Sequence, residues 1–362
     1  MIAFKDCAMP SDKSLRSIAD LADAGLVELT RAPALAEVGK RYAVGVTPAM
    51  ADLIESADVA DPIARQFIPD TAELVQAPGE DADPIGDDRH SPVEGIVHRY
   101  PDRVLLKLVH TCAVYCRFCF RREMVGPGKR AGLSAPALAS ALDYIRARPE
   151  IWEVILSGGD PLVLSDRRLK SVIDVLAGIG HVKILRLHTR IPVVEPARIT
   201  RKCIAALTPA GKTTYLVLHA NHPREMTSAA REACARLIAA GVPMLSQSVL
   251  LRGVNDDVET LAELMRTFVE CGIKPYYLHH CDPAPGTGHF RVPITRGQEL
   301  MRGLRGRLSG LCQPTYVLDI PGGHGKSPIG PSYLKTEAGA RGAEQHVQDF
   351  RGRWHGSPTG DF

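Results

Sequence analysis

Cys112-Ala-Val-Tyr-Cys116-Arg-Phe-Cys119 constrains this 362-residue chain more than any other stretch. It follows an apolar run at 103–109 that reads as a buried strand, so the three thiols sit on a loop at that strand's C-terminal end. Three convergent thiolates can ligate three irons of a 4Fe-4S cluster, whereas ferredoxin runs supply a fourth cysteine for the last iron. No fourth cysteine is near, so one iron would stay open to a ligand. A zinc knuckle is the competing reading. Zinc sites close tetrahedrally, and neither a second CxxC nor an HxxxH partner follows this loop.

Hydrophobic residues make up 45% of the chain, enough for one large domain with appendages or two smaller ones. The 44 Lys and Arg barely exceed the 41 Asp and Glu, so neither a nucleic-acid partner nor a membrane surface is expected. Nine cysteines, with three committed to one loop, speak against a disulfide framework and for the reducing cytoplasm. The opening MIAFKDCAMPSDKS has no apolar h-region, and no stretch reaches the length of a membrane span.

The chain divides into a helical front and linker (1–98), a repeating unit (99–310) and a C-terminal segment (311–362). Over 14–29 the spacing of Leu15, Ile18, Leu21 and Leu26 predicts a helix, and Thr47-Pro48 reads as a cap and first position of another. A Pro/Gly/Asp-rich stretch at 76–91 reads as a loop. Apolar runs at 104–109, 152–156, 182–187, 214–219, 242–249 and 275–279 then alternate with helical patterns at 135–147, 167–178, 224–240 and 257–271. Strand–helix units of about thirty residues imply parallel strands with right-handed crossovers. The fold class is α/β, an open (β/α)6 partial barrel with an N-terminal helical extension and a short C-terminal segment. The tail is expected to add one strand near 346–354.

Working groups of parallel α/β folds gather at the C-terminal ends of strands. Those ends carry Ser157-Gly158-Gly159-Asp160-Pro161, His188-Thr189-Arg190, His219-Ala-Asn221-His222, Gln247 and His279-His280-Cys281-Asp282. Each alone fits an ordinary strand-end turn, and together they describe a polar cavity mouth. The glycines would let the backbone approach a ligand closely. A seventh apolar run, 315–320, leads into Asp319-Ile-Pro-Gly-Gly-His-Gly-Lys326. A lysine on a glycine-rich turn behind a buried strand, if desolvated, could capture a carbonyl; an exposed, phosphate-contacting lysine fits the turn equally well.

The cysteine loop resembles the signature of radical S-adenosylmethionine (SAM) enzymes. With HSP from His90, RYPDR from Arg99, Arg121-Arg122, SGGDPL, Arg190-Ile-Pro-Val, QSVLLRGVND from Gln247 and the two late clusters, the chain resembles the lysine 2,3-aminomutase family from about 61 to 331. That resemblance implies the radical SAM type of partial barrel and three cofactors: a 4Fe-4S cluster on Cys112, Cys116 and Cys119, SAM, and pyridoxal 5'-phosphate on Lys326. It implies that Gly158, Gly159, Asp160 and Gln247 attend SAM, and that Arg99, Tyr100 and Arg103 attend the pyridoxal phosphate. Arg121 would pair with the substrate α-carboxylate, and Asp282 with Asp319 would grip a distal ammonium. The activity implied is isomerisation of L-lysine to β-lysine, through a 5'-deoxyadenosyl radical and migration of the amino group on a pyridoxal aldimine. A low-potential electron donor is implied as partner.

Free-lysine enzymes of the family carry a subunit-bridging zinc on cysteines that this chain lacks after Cys312, so the resemblance leaves oligomeric state open, homo-oligomer included. Phe120 stands where they tend to have threonine. That resembles the branch that serves translation elongation factor P, while the Asp-x-Pro-Gly-Gly form at Asp319 resembles the free-lysine branch. A non-catalytic iron–sulfur electron-transfer protein is the reading from another class. Lys326, Asp282, Asp319 and Arg121 separate the two, since electron transfer needs none of them. Replacing Lys326 by Ala is expected to abolish turnover and leave iron content and the brown cluster absorption unchanged; loss of the cluster would mean the two sites are not separate.

Overall fold

β1 (Ile96–Tyr100) opens a nine-stranded sheet and pairs antiparallel with β2 (Arg103–Val109) in a computed structural model that describes residues 13–56, 60–126, 130–339 and 342–356. β3 (Glu153–Gly158), β4 (Ile184–Thr189), β5 (Thr213–His219), β6 (Met244–Leu250), β7 (Lys274–His280) and β8 (Thr315–Asp319) follow in sequence order, all parallel from β2 onward. β9 (Lys326–Pro328) ends the sheet antiparallel to β8. Each predicted apolar run is thus a strand. β3, buried along almost its whole length, shows why: a strand covered on both faces reads as a continuous apolar run.

Six helices follow β2 to β7 in turn: α1 (Ala135–Arg146), α2 (Asp166–Ala177), α3 (Arg201–Leu207), α4 (Ser228–Ala239), α5 (Val258–Glu270) and α6 (Ile294–Leu304). Local chemistry sets their starts. Ser134, Ser165, Thr200, Thr227 and Asp257 each accept a hydrogen bond from a backbone N–H of the first turn. Each then presents an apolar stripe to the sheet, such as Leu169, Val172, Ile173 and Leu176 of α2. Full burial of such a side chain contributes roughly 1.5–3 kcal/mol.

The sheet is curled. Nine strands laid flat would hold their edges roughly 38 Å apart at about 4.8 Å per step. Instead the Lys326 backbone N–H at the start of β9 donates to the Tyr100 hydroxyl at the end of β1 across 2.7 Å. The edges meet through side chains without pairing as strands, which makes an open partial barrel of (β/α)6 form with β8 as its added strand.

The N-terminal part departs from expectation. The helix predicted over 14–29 spans only Ile18–Asp23, because the Ser17 capping box begins it late. Leu15 instead forms a bridge with Val46. Pro48 does begin a short helix, but the Thr47 hydroxyl donates to the Val194 carbonyl rather than capping. The pattern at 224–240 opens on a 3-10 turn, Pro223–Glu225, and is α-helical only from Ser228. The C-terminal segment forms three antiparallel strands where one was expected: β10 (Leu334–Gly339), β11 (Gly342–Gln348) and β12 (Trp354–Gly356). The leader reading of the first twelve residues lies outside the described residues. No helix among the described residues is long and apolar enough to cross a membrane.

The front layer is tied to the barrel by Glu73. Its carboxylate is fully buried and accepts from Arg117 Nε at 2.9 Å and from both Arg117 Nη2 and Arg122 Nη2. Burial alone would raise the Glu73 pKa, but the two guanidiniums hold it below the usual carboxylate range. Removing one partner of such a group leaves buried charge uncompensated. Glu73→Gln is therefore expected to lower the unfolding free energy by about 3–5 kcal/mol, read from urea denaturation. A loss under about 1 kcal/mol would contradict the role given to this network.

Candidate active site

The cysteine loop lies between β2 and α1, at the barrel's C-terminal rim. It has little regular structure, so discrete contacts hold it. The Tyr115 N–H donates to Gly45 O at 3.0 Å, the Arg117 N–H to Gln66 O at 2.9 Å, and Arg117 Nη1 to Ala43 O at 2.6 Å. Arg190, at the end of β4, donates from Nη1 to Cys116 Sγ at 2.9 Å. Burial, then the Asp160 charge, pushes the Cys112 thiol up, and burial with the neighbouring Cys116 pushes Cys119 up to about 11. These thiols keep their protons until a metal displaces them. Three sulfur donors on one loop, backed by a buried cation, fit an iron–sulfur cluster.

Gly158 and Gly159 allow a close approach within the protein. A Cβ on Gly158 would stand 2.5 Å from Val109 O, and one on Gly159 would stand 2.2 Å from Thr111 O. The close neighbour is the foot of the cysteine loop. Asp160 accepts from the Thr189 hydroxyl at 2.7 Å, the Arg190 N–H at 2.8 Å and the Leu162 N–H at 3.0 Å. It stitches the loop after β3 to the end of β4. Gln247 sits beside His219 in the register of β5 and β6.

Inside the rim stands a second group of side chains. Lys326 Nζ lies 2.6 Å from both oxygens of Asp319. The desolvated lysine considered from sequence is not what forms: its side chain is 31% exposed and its ammonium rests on a carboxylate. Asp319 is buried, yet the His279 ring and the Lys326 ammonium hold its carboxyl well below the usual range. Asp282 behaves oppositely. Burial and the neighbouring Asp319 charge raise its pKa to about 8, and its Oδ1 is buried without a hydrogen-bond partner among the described residues. His188 Nε2 and His219 Nε2 are likewise buried and unpartnered, and burial keeps both rings neutral. Three orphaned polar atoms at the ends of β4, β5 and β7 fit a cavity that takes a polar ligand.

The glycine turn before Lys326 is held from the opposite edge. A Cβ on Gly325, whose φ is +91°, would stand 3.0 Å from the Tyr100 hydroxyl. Arg89 Nη1 donates to Gly322 O at 2.9 Å, and the His90 Nε2 lies 2.9 Å from Gly323 O. Arg103 stacks on the Tyr100 ring at 3.8 Å. Arg99 donates to Ile85 O at 2.6 Å and leaves its buried Nε without a partner among the described residues. Two guanidiniums, a phenol and a lysine around one turn fit an anionic carbonyl compound.

Sequence reasoning missed Asp87. It lies in the stretch read as a loop, yet it is buried and joins two predicted site residues. Its Oδ2 accepts from Arg121 Nε at 3.0 Å and Nη2 at 2.8 Å, and its Oδ1 from Arg99 Nη2 at 3.2 Å. Lys107, buried on β2, lies in the same charge cluster and has its pKa lowered by burial despite Asp87. An aspartate among prolines and glycines reads as solvated, and its contacts with Arg99 and Arg121 bring it inside.

The Radical SAM superfamily model matches residues 106–265, and the Lysine-2,3-aminomutase model matches residues 301–345. An L-lysine 2,3-aminomutase from Clostridium subterminale is 43% identical over 304 residues, 84% of this chain and 73% of that one. One from Acetoanaerobium sticklandii is 41% identical over 294 residues, 81% and 70% of the two chains. A glutamate 2,3-aminomutase from Clostridioides difficile is 38% identical over 301 residues, 83% and 71%.

Asp282 gives this site a pH signature. A carboxyl whose pKa is raised on folding favours the folded state below its unfolded pKa of about 3.9, and that stability is lost as pH rises toward about 8. Asp282→Asn should therefore raise the thermal unfolding midpoint more at pH 8.5 than at pH 6. A difference independent of pH would show that Asp282 ionises freely.

Proposed function

The chain belongs to the lysine 2,3-aminomutase family of radical SAM isomerases, and from that membership we propose that it converts L-lysine to β-lysine. The observation that carries the lysine reading is Asp282 beside Asp319. A buried carboxyl with an unpartnered oxygen, kept protonated by burial and the Asp319 charge, ionises favourably only beside a cation, and the distal ammonium of lysine supplies that charge. A distal carboxylate, as in glutamate, would meet like charge.

Cys112, Cys116 and Cys119 would hold the 4Fe-4S cluster, with SAM at its open iron beside Gly158, Gly159, Asp160 and Gln247. Lys326 would hold pyridoxal phosphate, with Arg99, Tyr100 and Arg103 at its phosphate. Bound there, these cofactors supply a radical initiator and a carbonyl through which an amino group changes carbons. The chain's own residues orient the substrate. Asp87 occupies the Nε–Nη2 edge of Arg121, which fixes the guanidinium plane and sets its direction for an α-carboxylate. Asp319 holds Lys326 by its ammonium; once that amine is committed elsewhere, the side of Asp319 it covered is open beside Asp282 for the distal ammonium, with His279 still on the carboxylate. The neutral His188 and His219 bring polar atoms to the cavity without adding charge beside the cation.

A second reading keeps the chemistry and changes the destination. Phe120, where free-lysine relatives tend to carry threonine, supports by resemblance a lysine destined for elongation factor P; it lies under the Arg121 guanidinium at 4.4 Å. The reductant is a low-potential donor, and the compartment is the cytoplasm.

The test is an anaerobic assay of reconstituted protein with dithionite, SAM and pyridoxal phosphate, following β-amino acids by mass spectrometry. Product from L-lysine and none from L-glutamate is expected. Asp282→Asn should cost about 2–3 kcal/mol in kcat/KM, roughly 30- to 150-fold. Turnover of glutamate at a comparable rate would overturn the lysine reading. Turnover only on lysylated elongation factor P would select the second destination.

A further inference from the structure

We propose that Arg190 sets the reduction potential of the cluster by donating a guanidinium N–H to the Cys116 sulfur. The inference rests on the cysteine assignment above.

Arg190 reaches the cysteine loop from the end of another strand. Its Nη1 lies 2.9 Å from Cys116 Sγ, and only 6% of the residue is exposed. The other branch of the guanidinium is fixed, while its buried Nε has no partner among the described residues. Nη2 donates to Gln66 Oε1 at 3.1 Å and to the fully buried Glu225. Phe67 and Phe118 lie against it, with ring centres 4.8 and 5.8 Å from Cζ. Its backbone N–H is pinned to Asp160 at 2.8 Å. Glu225 in turn accepts from the Asn221 N–H at 2.8 Å, the His222 N–H at 3.0 Å and Gln66 Nε2 at 3.1 Å. A group held on this many sides does not turn away from the sulfur.

Such a donor acts on the electron equilibrium. Reduction takes the cluster from the 2+ to the 1+ state by one electron from the titrant, with no bond broken and no proton moved. Net charge and hydrogen bonds to the sulfurs set the potential of such clusters. A cationic N–H on a ligand sulfur favours the reduced, more negative state. Glu225, on the far branch of the same guanidinium, offsets part of that field. The two residues therefore act with opposite sign, which a purely structural pair would not do.

The test is an anaerobic redox titration of the reconstituted protein, without SAM or substrate, followed by electron paramagnetic resonance. The double variant Arg190→Met/Glu225→Gln removes both charges together, so no buried ion is stranded and net charge is unchanged. Its midpoint is expected to fall by a tenfold loss in the reduction equilibrium, about 59 mV for one electron. Glu225→Gln alone should move the midpoint the other way. Wild-type midpoints in both variants, each folded and carrying four irons, would overturn the proposal. If the double variant does not fold, Glu225→Gln alone decides, and an unmoved midpoint there overturns it. Cys116→Ala tests the underlying assignment separately: four irons with an unaltered spectrum in that variant would refute the cysteine reading itself.

Discussion

Glu73 shares one buried carboxylate between Arg117 and Arg122, and both arginines flank Cys119. Taking ions out of water costs several kcal/mol each, so three charges meet here only because each satisfies the others. Arg122 also covers the Tyr42 ring at 3.5 Å, and Arg117 reaches Ala43 O. The irregular loop bearing the thiols is thereby fastened to the front layer. A second set, Gln66 with Arg190, Glu225 and Asn221, fastens it to the ends of β4 and β5. The two sets meet where the Arg117 N–H donates to Gln66 O. Displacing either would move the thiols.

Charges of both signs meet in the mouth of the barrel, where Arg99 Nη1 lies 4.0 Å from Asp319 Oδ1 and Lys326 Nζ rests on the same carboxylate. Arg99 and Arg121 come from the edge of β1 and the cysteine loop, and Asp87 joins them. Asp282 and Asp319 come from the ends of β7 and β8, near the other edge. The curl that brings Tyr100 to Lys326 brings these groups, from both ends of the sheet, into one cluster.

The barrel was legible because buried parallel strands leave continuous apolar runs, and because Ser134, Ser165, Thr200, Thr227 and Asp257 mark helix starts by side-chain chemistry. The edge strands β1 and β9 were not, since each is short and mixes polar with apolar residues, so neither carries such a run. The three thiols, Lys326 and the two aspartates stood out by motif. Asp87, Glu73 and Gln66 did not. Polar residues outside the apolar pattern read as solvated, and their burial follows from contacts with residues tens to more than a hundred positions away. Gly158 and Gly159 were recognised as close-approach positions, but the partner, the foot of the cysteine loop, is a tertiary fact.

The most direct measurement is a crystal structure of the anaerobically reconstituted protein with L-lysine bound. The expected result places the distal ammonium within hydrogen-bond distance of Asp282 and Asp319, with the α-carboxylate on Arg121 while Asp87 still holds that guanidinium. Lysine bound in the reverse direction, or an Asp282 that contacts no cation, would contradict the lysine reading.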